Sequence, residues 1–292
     1  MDKPQSIPTR YLLFLKSTVV GGKNYDVETM KSIICQVKAA APDQEITYGI
    51  LGLTSHLSES ELSTALQRAI YSHFGDCPEF IIMKSDEVYS SIAPMNLFMM
   101  CTEPNISAFC KLPEAYSFRL CRPDELLAWK QTAVEAPYID SLTEYFETVY
   151  AKRTEEFFQR CTFVVDSTDY PVATCFIWPA YQKLNTLAFL RVLPGYEGLG
   201  LGRALLSELL ANTEYPVYLH THPTSYRAIR LYSQMAFKFV DKPVIGDRDN
   251  NLYASLPFLK AVLPERDYQS LVITIAPDSF VQAVDPDLPA EF

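Results

Sequence analysis

The chain is 292 residues long, 48% hydrophobic, and carries a formal net charge of −10. That length suits two ordinary domains, and the acidic balance argues against a nucleic-acid partner, whose binders present basic patches. No signal peptide and no apolar run of about eighteen residues is present, so a cytoplasmic protein with no membrane partner is expected. The seven cysteines (35, 77, 101, 110, 121, 161 and 175) include no Cys-x-x-Cys pair and sit mostly in apolar, strand-like contexts. They read as reduced core residues, and no metal site is expected.

The first third has its own rhythm. Tyr11-Leu12-Leu13-Phe14-Leu15 is a buried-strand run. Val27, Met30, Ile33, Ile34 and Val37 then recur at helical spacing behind Asp26 as N-cap, and Pro42 ends that helix. Ile46 to Leu51 reads as a second strand, and Ser58-Glu59-Ser60-Glu61 as a capping box opening a helix with Leu62, Leu66, Ala69, Ile70 and Phe74 on its apolar face. Strands over 80–83 and 97–100 complete a small α/β domain assigned to residues 1–112, of unknown role. His56 and His73 have no ligand-spaced partners and read as structural or solvated. The Pro-bearing stretch from Thr102 to Glu114 is the linker candidate.

A second domain is assigned to 113–292. Tyr116 to Leu120 is a short strand, and Pro123-Asp124-Glu125 opens a helix containing Trp129. A further helical stretch carries Tyr145, Val149 and Phe157. Strands over 162–166 and 172–178 form a hairpin about Ser167-Thr168-Asp169, and Gln182 to Asn185 leads into a strand with Leu187, Phe189, Leu190 and Val192. Near the end, Leu271-Val272-Ile273-Thr274-Ile275 is an extra strand that would pair with the N-terminal domain.

The strand ending at Val192 runs into Leu193-Pro194-Gly195-Tyr196-Glu197-Gly198-Leu199-Gly200-Leu201-Gly202-Arg203, and a helical pattern through Leu205, Leu206, Leu209 and Leu210 follows. Three alternating glycines between strand and helix bring free backbone N–H groups and the positive end of a helix dipole together, which suits an anion such as phosphate. Such a run also serves tight turning and close packing alone. The loop lacks the Gly-Lys-Ser/Thr ending of a nucleotide P-loop, and its glycines are closer than those of a dinucleotide fingerprint.

Downstream stands Leu219-His220-Thr221-His222-Pro223-Thr224-Ser225-Tyr226-Arg227-Ala228-Ile229-Arg230-Leu231-Tyr232-Ser233-Gln234-Met235-Ala236-Phe237. The first block resembles the acetyl-CoA loop of the GNAT (GCN5-related) N-acetyltransferases, Val-x-Pro-x-Tyr-Arg-Gly-x-Gly-x-Gly. The second resembles that family's Asn-x-x-Ala-x-x-Leu-Tyr-x-x-x-Gly-Phe. The resemblance covers roughly 116–256. It departs at four places: Glu197 where a cation or Gln is usual, Leu199 where a basic or polar residue is common, Ser225 for Asn, and Ala236 for Gly.

The resemblance implies a mixed α/β GNAT acyl-CoA acyltransferase fold: a central mixed sheet flanked by helices, with the thioester between two splayed strands. It implies acetyl-CoA as acyl donor, no metal, and an amine acceptor, in a monomer or homodimer. The cofactor would be held by Leu190, Arg191 and Val192, by Glu197, Gly198, Leu199, Gly200, Leu201, Gly202 and Arg203, and by Ser225, Ala228 and Tyr232. Tyr232 stands where the family's tyrosine protonates the coenzyme A sulfur, and backbone N–H groups at Leu190 to Val192 would face the carbonyl oxygen. His220 and His222 alternate on a strand, share a face, and are the candidate bases. Glu135, Tyr138 and Asp140 are the candidates for binding the acceptor. Glu197 beside a pyrophosphate is expected to weaken binding by about 1 kcal/mol. An N-acetyltransferase acting on a small or peptidic amine is the expected function. A non-catalytic coenzyme A-binding or sensing module and an interaction scaffold with a vestigial loop are the alternatives.

Overall fold

A computed structural model describes residues 9–15, 19–20, 23–24, 44–47, 50–55, 57–75, 80–84, 95–284 and 286–292. The helix expected over 27–37 and His56 lie outside the described residues. The chain divides into two compact units, 1–94 with 256–269, and 95–255 with 270–292.

In the first unit, β1 (Thr9–Leu15) lies between β3 (Ile50–Ser55) and β4 (Phe80–Lys84), and β2 (Gln44–Thr47) borders β3. Every pairing is antiparallel. Residues 46–51, read as one strand, thus contribute to two, with Thr47 facing Ile50 across a hairpin register. Helix α1 (Glu59–Phe74) starts at the expected capping box: Ser58 N–H donates to Glu61 Oε2 at 2.9 Å, and Glu61 N–H to Ser58 Oγ at 3.4 Å. These contacts with Ser58 lower the Glu61 pKa. The helix closes on Gly75 at φ +69°, the left-handed conformation glycine adopts freely. Leu62, Leu66 and Ile70 are fully buried, as their helical spacing requires.

The second unit is built on an eight-stranded mixed sheet. Its strands are β5 (Leu97–Cys101), β6 (Ser117–Leu120), β7 (Thr162–Val165), β8 (Pro171–Ala180), β9 (Leu184–Val192), β10 (Val217–Thr221), β11 (Lys238–Asp241) and β12 (Ile273–Ile275). The spatial order is β12-β11-β5-β10-β9-β8-β7-β6. Helices α2 (Leu126–Ala133), α3 (Ile139–Tyr145), α4 (Thr154–Arg160), α5 (Leu201–Ala211) and α6 (Tyr226–Gln234) accompany it. This is the mixed sheet with helices that the sequence led us to expect.

Three placements differ from those expectations. Strand β5 does not complete the N-terminal domain: it pairs antiparallel with both β10 and β11, and all five of its residues are buried. An unbroken apolar run such as Leu-Phe-Met-Met-Cys needs cover on both faces, which a central position provides. Strand β12 joins β11 in parallel at the edge of this sheet and not the N-terminal one. The stretch 102–114 is docked, not a free linker: Asn105 N–H donates to Met235 O (3.3 Å), and Cys110 N–H to Ser207 Oγ (3.1 Å).

Beside the sheet, Trp129 packs edge-on against Tyr150, Phe157, Phe176 and Phe189 at 4.8–6.3 Å between centroids. Such pairs add about 0.5–1.5 kcal/mol each beyond area burial, so this cluster fixes α2 against β8 and β9. Cys101, Cys121, Cys161 and Cys175 are buried free thiols, and burial pushes the Cys101 pKa up to about 11.

Candidate functional site

Strands β9 and β10 run parallel but pair only at Asn185–Val217 and Thr186–Tyr218. Beyond that point no ladder joins them, and the backbone of 187–192 faces a gap. On its other side β9 carries a bulge: Phe176 faces Ala188 and Thr174 faces Arg191, so Cys175 opposes both Phe189 and Leu190. Phe189 sits at φ +54°, a conformation that costs a bulky residue about 1–3 kcal/mol. Trp129 and Tyr145 hold its ring edge-on at 5.4 and 6.0 Å, and Phe176 stacks on it at 6.2 Å. The Arg191 guanidinium donates to the carbonyls of Thr132 (2.9 Å), Val134 (3.0 Å) and Gln131 (3.3 Å). A cation there satisfies the orphan carbonyls at the end of α2 and locks that helix to the rim of the gap.

The glycine loop follows directly. Leu193-Pro194-Gly195-Tyr196 is a turn closed by Tyr196 N–H to Leu193 O (3.1 Å), with Gly195 at φ +88°. Gly198 and Gly200 are also left-handed, at φ +78° and +82°. Gly200 is the N-cap of α5 and has no side chain to offer its N–H groups. The first helical bond runs from Ala204 N–H to Gly200 O (2.9 Å), which leaves the N–H groups of Leu201, Gly202 and Arg203 without intrahelical acceptors. A Cβ at Gly202 would meet Val192 Cγ2 at 3.3 Å, so that glycine serves close packing of helix on strand. These residues form a backbone cradle for an anion, the donor set a pyrophosphate requires.

Two charged side chains here are not placed as expected. Glu197 forms an ion pair with Arg227 of α6, Oε2 to Nη1 at 3.0 Å, so a cation from the second block stands beside the loop's acid. The guanidinium of Arg203 is turned from the loop, donating to Ala108 O at 3.1 Å and to Gln234 Oε1. Only the backbone of Arg203 remains at the helix start.

The second block owes its spacing to a helix terminus. Phe237 N–H donates to Tyr232 O (3.0 Å) and Ala236 N–H to Ser233 O (3.1 Å), the two bonds of a Schellman C-cap. Ala236 occupies the left-handed position at φ +73°, which explains why the family motif has glycine there. Phe237 packs on Tyr232 at 5.7 Å, the apolar contact that accompanies this cap. Tyr232 is thereby held at the gap, 7% exposed, with burial driving its pKa far above the ordinary phenol value.

His220 lies in β10 and His222 just past its end, at the cap of the turn that follows, and hydrogen bonds set the tautomer of each. His222 Nδ1–H donates to the Met95 carbonyl at 2.8 Å, leaving Nε2 with a lone pair. Asn96 donates its Nδ2–H to Asp249 O, so its Oδ1 accepts from His220 Nε2–H at 2.9 Å. Burial, followed by the nearby charges of Arg248 and His222, pushes the His220 pKa down to about 3, and its ring is neutral at pH 7.

A cavity of about 710 Å³ occupies the gap. Leu190, Arg191 and His220 line it from the strands, His222 from the end of β10, and Ser225, Ala228 and Tyr232 from the turn and helix that follow. Glu135 and Tyr138 reach its wall, both exposed, while Val192, the glycine loop and Asp140 are not among its lining residues. Tyr145, Arg248 and Phe292 also line it, and no motif in the sequence marks them. Among the described residues no cluster of His, Cys, Asp and Glu is arranged to hold a metal ion, and no helix is long and apolar enough to cross a membrane.

Comparison with known proteins matches residues 126–237 to the acetyltransferase (GNAT) family. No curated protein matches the chain. Among solved structures, it is similar to a GCN5-related N-acetyltransferase from Sphaerobacter thermophilus (16% identity over 69% of this chain and 73% of that one, TM-score 0.39). It is also similar to a GNAT-family protein from Novosphingobium aromaticivorans (18%, 50% and 60%, 0.33). A Drosophila protein matches at 19% identity over 50% of this chain, with TM-score 0.34, and the match spans about half (48%) of that protein's length. The splayed strands, the glycine cradle and the matched segment agree: residues 126–237 form a domain of the GNAT acetyltransferase family, a family whose chemistry is acyl transfer.

Proposed function

We propose that this protein is an acetyl-CoA-dependent N-acetyltransferase that acetylates a primary amine of a small molecule or peptide by direct attack. The observation that carries this reading is the coincidence of three features: strands that separate after Thr186, a glycine-capped helix start at Gly200, and Tyr232 in the wall of the resulting cavity. Acetyl-CoA would supply the activated thioester. The N–H groups of 198–203 would hold its pyrophosphate, and Ser225 and Ala228 would border its pantetheine arm. The Glu197–Arg227 pair offsets the acid in the loop, so the loss of affinity expected from Glu197 alone is reduced.

Backbone N–H groups released from the ladder by the bulge at Phe189–Leu190 are suited to face the developing oxyanion. His222 Nε2 takes a proton from the acceptor's ammonium, freeing the lone pair with which the neutral amine attacks, since its Nδ1–H is committed to Met95. His220, held neutral with a pKa of about 3, is a poor base and orients the cavity wall through Asn96. Tyr232 remains protonated at neutral pH and donates to the departing thiolate. Glu135 and Tyr138 stand at the mouth, where they meet an entering acceptor.

Calorimetry with acetyl-CoA combined with free-thiol release over an amine panel tests the reading. Binding plus turnover of at least one amine is expected, and both are lost in Gly200→Glu, which puts an anion where phosphate sits. Binding without turnover of any amine favours a sensing module, and absence of binding removes the assignment.

A further inference from the structure

Arg248 lies at the inner wall of the cavity on a short ribbon, Val244–Ile245 paired with Arg248–Asp249. The ribbon is held rigidly. Its turn needs Gly246, at φ +62°, where an added Cβ would come within 2.7 Å of Val284 Cγ1. Asn96 Nδ2 donates to Asp249 O at 3.1 Å, and Asn250 Nδ2 donates to Val240 O (2.7 Å) and Lys242 O (3.0 Å). The guanidinium carbon lies 5.0 Å from the centroid of Phe98 and 5.5 Å from that of Phe292.

Against those rings, Nε and Nη2 are buried with no hydrogen-bond partner. Arginine cannot escape such a cost by losing its proton, and an unpaired buried charge is retained only where something balances it. Among the described residues no carboxylate lies within ion-pair distance of it. The cavity's other guanidinium, Arg191, is bound to three carbonyls at the end of α2, so it does not compete for an anion. His220 shares the Phe98 ring at 5.1 Å and is neutral, so Arg248 supplies the positive charge at that end.

We propose that Arg248 receives a carboxylate on the acceptor, so that the amine acetylated by this protein belongs to an amino acid or a related aminocarboxylate. This rests on the acyltransfer reading above. The planar fork of Nε and Nη2 matches the two oxygens of a carboxylate, and the amine of the same molecule would then point along the cavity toward His222 and the gap.

The test compares kcat/KM with acetyl-CoA for paired acceptors, glycine against glycinamide and phenylalanine against phenylalaninamide, in the wild type, Arg248→Gln and Arg248→Lys. Comparing the acid-to-amide ratio between proteins cancels the different basicities of the amines. The ratio is expected to fall about 10- to 100-fold in Arg248→Gln, the loss of one or two hydrogen bonds to a charged group, and to be partly restored in Arg248→Lys. A ratio unmoved by Arg248→Gln overturns the proposal. Calorimetry of N-acetylphenylalanine against N-acetylphenylalaninamide on wild-type protein reads the site without turnover and without any variant. Preferred binding of the acid, with no amine acetylated, would leave the carboxylate site standing while the acyltransfer reading falls. Equal binding of acid and amide, or no binding of either, overturns it.

Discussion

Replacing Gly200 by alanine, with Gly195→Ala as its matched partner, separates the conformational demand of the loop from its role in holding an anion. Gly195 and Gly200 have nearly the same φ, +88° and +82°, and an added Cβ meets nothing within 4 Å at either position. The stability cost should therefore be similar, about 1–2 kcal/mol for an L-residue in the left-handed region. For a domain of this size that corresponds to a fall in Tm of about 2–4 °C per kcal/mol. The affinities should diverge. Gly200 caps α5 and directly precedes the free N–H groups of 201–203, so a methyl there would face an anion held by them, whereas Gly195 lies upstream in the Leu193–Tyr196 turn. Displacing the ligand from one charge-assisted hydrogen bond costs about 1.5–3 kcal/mol, or about 10- to 150-fold in Kd for acetyl-CoA. Thermal unfolding and calorimetry on the two variants give both numbers. Equal losses of affinity, or wild-type affinity in Gly200→Ala, would refute the cradle.

Tyr232→Phe should reduce turnover in the thiol-release assay by about 100-fold or more while leaving the Kd for acetyl-CoA unchanged; an unaltered rate removes the acid role. His220 should make stability pH-dependent. Its pKa of about 3 in the folded protein lies below the ordinary 6.5, so the unfolded chain binds the proton more readily. Its contribution to stability is unaffected above pH 6.5 and falls by about 1.4 kcal/mol per pH unit below it, about 2 kcal/mol by pH 5. Urea midpoints across pH 5 to 7.5 that run parallel for wild type and His220→Asn would contradict this. Glu197→Gln removes an acid beside the cradle and should tighten acetyl-CoA binding a few-fold, at a stability cost under about 1 kcal/mol because the pair is partly exposed; looser binding would give Glu197 a positive role. Ala236→Gly relieves a left-handed alanine and should raise stability by up to about 1 kcal/mol in urea unfolding; a loss would mean that the alanine methyl packs usefully.

What the sequence determined by itself is what depends on neighbours a few residues apart. The capping box at Ser58, the turn about Gly195, the glycine cap of α5 and the helix terminus holding Tyr232 each close within six residues, so fixed residue types at fixed spacings announce them. That is why both motif blocks were legible, and with them the fold of the matched domain. The tertiary structure decided the rest. Nothing local says that Leu97–Cys101 lies between β10 and β11, since a buried strand satisfies its backbone with whichever partners the sheet presents. The same holds for side-chain charges. Arg203 looked like a phosphate ligand until Ala108 and Gln234 claimed it, Glu197 looked unopposed until Arg227 met it 30 residues on, and Arg248 carried no signal at all. A long flexible cation takes its role from what surrounds its tip, and only the folded chain brings those surroundings together.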